Sequence, residues 1–231
     1  MSDITAADLA ALARYNTPTI CNVIEVFDVR PRNVGFNLKP LQCVYPDLPP
    51  IVGFATTARV RAYRRPESQG SMLDYYSYVE QSPKPAVAVV EDLDEDWPGA
   101  GALWGEVNAN IHKAMGCLGV VTNGCVRDVD DVRPLGFQMI AGSVMPSHAY
   151  IRVEGYGEPV SIFGMDVRPG DIIHADRHGA AVIPPEIVHD IPAAVARLEA
   201  GERQTIELCQ SGEFSVAKLR ELRARQAGPS H

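Results

Sequence analysis

The hydrophobic period switches repeatedly between residues 85 and 141, and that alternation limits the architectures open to the chain. PAVAVVED (85–92) is a near-continuous apolar, β-rich run, the pattern of a strand covered on both faces. Val107, Ile111, Ala114 and Met115 then fall at helical spacing. Leu118 to Thr122 reads as a short strand, Val129, Val132 and Leu135 as a short helix, and Phe137 to Ala141 as another strand. Strand–helix–strand–helix–strand at these lengths predicts βαβ units with a parallel component.

Around this centre the pattern is simpler. Ser2-Asp3 is a possible cap for a helix carrying Leu9, Leu12 and Ala13, and Pro18 can open a second helix with Ile20, Val23, Ile24 and Phe27 on one face. Residues 28–50 read as loop, 51–63 as a strand and 70–81 as a helix. After residue 150 come short strands separated by Pro-Gly-Asp and His-Gly turns. From Pro185 to about Arg225 the chain reads as a helical arm, with Ile187, Ile191, Val195 and Leu198 as a stripe and a possible kink at Pro192. The expectation is one α/β domain over residues 1–231, with a core of about 50–190 and an arm of about 185–225.

Composition excludes several classes. The 231 residues carry a net charge of -8, which disfavours the basic surface that non-specific nucleic-acid binding needs. No apolar run reaches the roughly 18–20 residues that cross a bilayer, and the N-terminus lacks the basic start and apolar stretch of a signal peptide. Five cysteines without a CxxC pair argue against a disulfide framework or a zinc site, so a reducing cytoplasm is expected.

The chemistry concentrates between Gly105 and Asp128. Asn123-Gly124-Cys125-Val126-Arg127-Asp128 is expected between a strand and a helix, where open α/β sheets bind ligands. A guanidinium such as Arg127 grips a carboxylate with two parallel hydrogen bonds. A carboxylate such as Asp128 is a hard ligand for an ion that keeps waters, such as magnesium. The same two residues also fit a helix cap beside a surface arginine. Gly105-Glu106 opens the next helix; its free amides suit a substrate carboxylate, and Glu106 is either a general base or a first-turn acid favoured by the helix dipole.

ALWGE (102–106), GCLGVVTNGCVRD (116–128), LGFQMIAGSVMP (135–146) and VRPGDIIHADRHGAAVIP (167–184) together resemble the RraA-like family, which includes the class II 4-hydroxy-4-methyl-2-oxoglutarate aldolases. The likeness covers roughly residues 50–190, and its most specific element is Glu106, twenty intervening residues, then Arg127-Asp128. Family enzymes often carry Asp in the first place; here Glu is one methylene longer.

The resemblance implies a layered α-β-β-α sandwich and a lyase dependent on Mg2+ or Mn2+. Such an enzyme cleaves a C–C bond of a 2-oxo acid to release pyruvate, with oxaloacetate decarboxylation as a companion activity. It implies that Asp128 ligates the metal, that Arg127 holds the 2-oxo acid end, and that the amides around Gly105, Glu106, Val107 and Asn108 receive the substrate carboxylate. Glu106 reaches the metal through water. It implies a homotrimer or dimer of trimers, with a glutamate of the neighbouring subunit's arm near the metal. Aligning Gly212-Glu213 with the family's Gly-Glu suggests Glu202, with Glu199 and Glu207 as alternatives. The rival expectation is a non-catalytic regulator of a ribonuclease, acting by protein–protein binding.

Other signals read as structural. Lys113, which a Schiff-base aldolase would need, reads as a solvent-facing helix lysine. His148, His174 and His178 show no paired metal-ligand spacing, and EDLDEDWPG (91–99) reads as a solvated turn. Trp104 is read as either core-edge or pocket wall.

Overall fold

A computed structural model describes residues 3–67 and 71–226. The chain divides into two compact units, 1–189 and 190–231. Helix α1 (Ala6–Leu12) starts on a capping box between Thr5 and Asp8. The cap is therefore Thr5 and not Asp3, while Ser2 lies outside the described residues. Helix α2 (Thr17–Phe27) is capped by Asn16, with Pro18 in its first turn, and buries Ile20, Val23 and Ile24. Residues 28–50 are mostly irregular, apart from the two-residue strand β1 (Gln42–Cys43).

Strand β2 (Ile51–Arg61), helix α3 (Met72–Gln81), strand β3 (Ala86–Asp92), helix α4 (Glu106–Ala114), strand β4 (Cys117–Val126), helix α5 (Val129–Val132) and strand β5 (Gln138–Val144) follow. Strands β2, β3, β4 and β5 pair in parallel, as the period switches predict. Five further strands complete the β structure: β6 (Arg152–Tyr156), β7 (Val160–Ile162), β8 (Met165–Val167), β9 (Ile172–Asp176) and β10 (Gly179–Ile183). The large sheet runs β1-β5-β4-β3-β2-β9-β10, with β6 on β2 and antiparallel pairs at both margins.

Alternation along β3 builds two cores. Ala86, Ala88 and Val90 face a cluster containing Tyr75 and Val79 of α3, Ala109 of α4, Val132 of α5, Trp104 and Phe137. Val87 and Val89 face the other way, onto Val160, Ile162, Met165 and Val167 of the β7–β8 hairpin. A strand with both faces covered has no polar side, which is why its sequence is an unbroken apolar run. Helix α1 rests on β2, and α2 on β9 and β10. The expected layered α/β sandwich is present in this unit.

The second unit is a helical pair, α6 (Ile191–Gln210) and α7 (Val216–Gln226). Pro192 lies in the first turn of α6, where its missing N–H has no partner to lose, so it starts the helix and does not kink it. Of the predicted stripe, Ile187, Ile191 and Val195 are buried and Leu198 is half-buried. Among the described residues no helix is long and apolar enough to cross a membrane.

Candidate active site

Parallel pairing brings the carboxyl ends of β2 to β5 to one edge of the sheet, and the candidate residues sit there. Asn123-Gly124-Cys125-Val126 are not in a loop, as the sequence suggests, but in the last part of β4. Pairing of β3 with β4 stops at Val90↔Thr122, and the β4–β5 register shifts between Thr122 and Cys125. The Asn123 amide then stands in for backbone: Asp92 N donates to its Oδ1 (2.7 Å) and its Nδ2 donates to Asp92 O (2.9 Å). Beyond this point β4 has a new neighbour. Trp104 bridges to Val126 in parallel, and Arg127 N donates to Trp104 O (2.9 Å). The segment before α4 has replaced β3 and lies directly against Arg127-Asp128.

That replacement joins the two halves of the motif. Asp128 adopts the left-handed region (φ 53°, ψ 43°), which Asp tolerates better than most residues. There its Oδ2 accepts the amide of Glu106 (3.1 Å). Helix α4 begins at Gly105, which offers no side-chain cap, so Asp128 supplies the negative group at its N-terminus. A Cβ at position 105 would push the Asp128 carboxylate off its cap, so glycine preserves this close approach. The helix-cap reading of Asp128 is thus correct, but the helix it serves is α4, 22 residues earlier in the chain.

Arg127 and Asp128 are both about 28–29% exposed at the side chain, with Arg127 Nε 3.3 Å from Asp128 Oδ2. Arg127 Nε is buried and makes no hydrogen bond among the described residues. Among the described residues Asp128 Oδ1 accepts none, and the first-turn amides of Val107 and Asn108 lie where a helix has no internal acceptors. Glu106 is exposed beside them. Gly105, Glu106, Val107, Asn108, Arg127 and Asp128 therefore come together as expected. The Glu106 amide, however, is already taken by Asp128.

The remaining candidates fall elsewhere or into the scaffold. Glu199, Glu202 and Glu207 are exposed on α6, in the second unit, and Glu213 pairs with Lys218 (2.7 Å). Lys113 is exposed, with Nζ 3.4 Å from Gly136 O. Trp104 is 1% exposed and packs on Phe137, which makes it core and not pocket wall. His148 is exposed, and His178 turns onto Asp176.

The acidic loop corrects the sequence reading. Asp92 and Asp94 are buried: Asp92 accepts the amides of Asp94 and Gly99, and Asp94 those of Ala62 and Tyr63. Burial pushes the Asp92 carboxyl up, against the pull of those amides. A cleft of about 440 Å³ opens beside this loop, among Arg61, Arg64, Trp97 and Arg152. Two of its arginines are consumed by backbone, Arg61 on Leu93 O and Arg152 on Arg64 O, so it reads as a braced corner of the sheet.

Burial also pushes the thiols of Cys117 and Cys125 up to about 11. Neutral thiols leave only hard oxygen donors at the site. Among the described residues no group of three or more His, Cys, Asp or Glu side chains converges. One free carboxylate oxygen suits an ion that retains several waters, and not a tetrahedral zinc.

What the sequence alone did not reveal is the role of Asn108 as a side chain. Its amide bonds Leu103 O and the Tyr76 hydroxyl, and a helix-surface asparagine carries no signal that foretells this.

The family model for RraA-like proteins (Aldolase/RraA) matches residues 17–182. An uncharacterized protein of Methanocaldococcus jannaschii is 33% identical over 113 residues, 48% of this chain and 54% of that protein. The 4-hydroxy-4-methyl-2-oxoglutarate aldolase of Thermus thermophilus is 33% identical over 86 residues, 36% of this chain and 51% of that protein. The matched segments thus span about half the length of these curated relatives. Among solved structures, Streptomyces coelicolor RraAS2, described as an unusual member of the RNase ES inhibitor RraA protein family, superposes with a TM-score of 0.66. It is 22% identical and covers 90% of this chain and 98% of that one, a likeness of fold.

Proposed function

The chain belongs to the RraA-like family, and from that premise we propose that it is a carbon–carbon lyase that releases pyruvate from a 2-oxo acid with Mg2+ or Mn2+. The observation that carries the reading is the unfinished hydrogen bonding at one point. Among the described residues, Arg127 Nε is buried and makes no hydrogen bond, beside a carboxylate with an uncommitted oxygen and a helix start with open amides. A chain that needed only a cap would have no use for a buried guanidinium N–H that lies in ion-pair range of Asp128 yet makes no hydrogen bond. An oxygen-rich anion that carries a divalent cation would satisfy all three: its oxygens the Arg127 N–H and the helix amides, its cation the free Asp128 oxygen.

In this reading the Val107 and Asn108 amides receive the substrate carboxylate and Arg127 grips the 2-oxo acid end. Asp128 Oδ1 would hold the metal, which supplies Lewis-acid polarisation of the 2-oxo group. Arg127, fixed through its amide to Trp104 O, stands ready to balance the negative charge that develops as the C–C bond breaks. Glu106, exposed beside them, would reach the metal through water or act as general base toward the substrate hydroxyl. 4-Hydroxy-4-methyl-2-oxoglutarate is the aldol substrate and oxaloacetate the decarboxylation substrate of the proposal.

The proposal extends to assembly. Val107, Val144 and Met145 expose apolar surface at this edge, and Ile206, Phe214 and Val216 do so in the second unit. A homotrimer or dimer of trimers would cover such surface and bring Glu202, or Glu199 or Glu207, to a neighbour's site. The test is pyruvate release from both substrates with magnesium, then with EDTA. Release abolished by EDTA and restored by metal is expected; turnover that survives chelation would overturn the metal mechanism.

A further inference from the structure

We propose that Asn108, His112, Tyr75 and Tyr76 form a positioning circuit that aims the first-turn amides of α4 at the ligand and fixes the backbone from which Arg127 reaches it. It rests on the reading of the site given above. The need for such a circuit follows from Gly105, since a helix that starts on glycine has no side chain of its own to fix its entry.

Asn108 supplies the fixing. Its Nδ2 donates to Leu103 O (2.7 Å) and its Oδ1 accepts the Tyr76 hydroxyl (2.6 Å). One side chain therefore ties the first turn of α4 to the segment before it and to α3. One turn later His112 is fully buried. Its Nδ1 lies 2.7 Å from Asn108 O, and its Nε2 lies 2.9 Å from the Tyr75 hydroxyl. A carbonyl can only accept, so Nδ1 carries the proton; Nε2 is then the acceptor and Tyr75 the donor. The geometry thus assigns a single neutral tautomer. Burial holds it neutral, pulling the imidazole down to about 4 against the hydrogen bond to Asn108.

The circuit reaches the other half of the site through Trp104. The indole packs on the His112 ring at 4.5 Å between centroids, and the carbonyl of the same residue receives the Arg127 amide. Tyr75 and Tyr76 of α3 therefore brace both sides of the crevice: Tyr76 through Asn108 to the helix amides, Tyr75 through His112 and Trp104 to Arg127. An apolar core here would bury as much surface. It would not fix direction, because dispersion contacts have no preferred angle and hydrogen bonds do. No member of the set touches the proposed ligand with its side chain, so these are positioning residues.

The experiment uses the full chain and three variants: Asn108→Ala, Asn108→Asp and Tyr76→Phe. Amide hydrogen exchange at Glu106, the first-turn amide that is bonded without ligand, is measured, together with KM and kcat for oxaloacetate with magnesium. The ¹⁵N shifts of His112 are recorded from pH 8 to 5. The wild-type imidazole is expected to show the Nδ1–H tautomer throughout. In Asn108→Ala the Glu106 amide, held on Asp128 in the wild type, exchanges about tenfold faster and KM rises about tenfold while kcat stays within about threefold, the scale of one lost hydrogen bond. Asn108→Asp, which keeps the acceptor for Tyr76, falls between. Tyr76→Phe removes a single oxygen, so it folds where the alanine variant does not and reports the same direction of change.

Exchange rates and KM at wild-type values in Tyr76→Phe and the Asn108 variants would overturn the circuit, as would an Nε2–H tautomer for His112. If the wild-type chain turns over no 2-oxo acid, the functional reading fails. Exchange and ¹⁵N shifts then still decide the circuit.

Discussion

Two helix starts in this protein are built by the same device, and only one of them is finished. At α2, Asp176 Oδ2 accepts the amide of Thr17 (2.8 Å) across 159 residues. At α4, Asp128 Oδ2 accepts the amide of Glu106 (3.1 Å) across 22. Asp176 is 5% exposed and its other oxygen is filled by the amide (2.8 Å) and ring (3.1 Å) of His178. Burial raises its carboxyl, but those donors outweigh it and the net shift is downward. Asp128 is far more exposed, and among the described residues its other oxygen is uncommitted and the buried Arg127 Nε beside it is held only by the ion pair, with no hydrogen bond. A buried histidine stands behind each start. His174 donates to Tyr15 O and accepts from Thr17 Oγ1; His112 donates to Asn108 O and accepts from Tyr75, with the opposite ring nitrogen protonated. A closed device stabilises the fold, and an open one of the same design can bind.

The largest effect that separates them is Asp128→Ala. It should lower metal-dependent pyruvate release about a thousandfold or more while the melting temperature stays near that of wild type. Large destabilisation with modest loss of turnover would make α4 a second structural cap and erase the contrast.

The buried histidines predict a shared acid lability. The imidazole of His112 drops from its ordinary 6.5 to about 4 on folding, mainly by burial, and that of His174 is also lowered by burial. Between those values the unfolded chain binds more protons, so stability rises with pH through the window and is lost as pH falls from 6.5 to about 4. For His112 alone the loss is about 3 kcal/mol. Urea unfolding at pH 7, 5.5 and 4 measures it; stability that rises on acidification through this window would contradict the burial of neutral imidazoles.

Arg127→Lys keeps the charge and loses the planar fork, and turnover should fall about a hundredfold. Near-normal kcat/KM would show that the guanidinium acts only as a point charge. Asp176→Ala is the mirror experiment. It leaves the Thr17 and His178 donors unpaired and should cost about 2 kcal/mol of stability with kcat unchanged. A loss of turnover in an equally stable variant would mean that the closed device also serves chemistry.

Which parts were legible in the sequence follows the range of the interactions. The apolar run 86–90 announced a covered strand, because a period is written in neighbouring residues. That Arg127-Asp128 would meet Glu106 followed from the resemblance to the RraA-like family; the residues alone left a helix cap equally open. The extension of β4 through Val126 was not, because Asn123 pairs with Asp92 through its side chain and the segment before α4 takes over as neighbour. The burial of Asp92 and Asp94 was hidden for a related reason. An acidic run is solvated unless backbone amides far away in sequence close on it, as Ala62 and Tyr63 do. The Asn108–His112–Tyr75 contacts join two helices, and neither helix's pattern shows it.

The smallest effect expected is also the one that could do most damage to the contrast. Lys113→Ala should leave kcat and KM within about twofold of wild type. A Schiff-base lysine must be desolvated so that its amine is neutral near pH 7, yet Lys113 is exposed, with Nζ against the Gly136 carbonyl. It lies on α4 like Glu106, so proximity alone gives it a chance at the substrate. Borohydride with a 2-oxo acid decides between the two chemistries. Unmodified, active protein is the expected result. Inactivation with label on Lys113 would move the reaction to the amine and leave the open carboxylate of Asp128 as a cap that happens to be exposed.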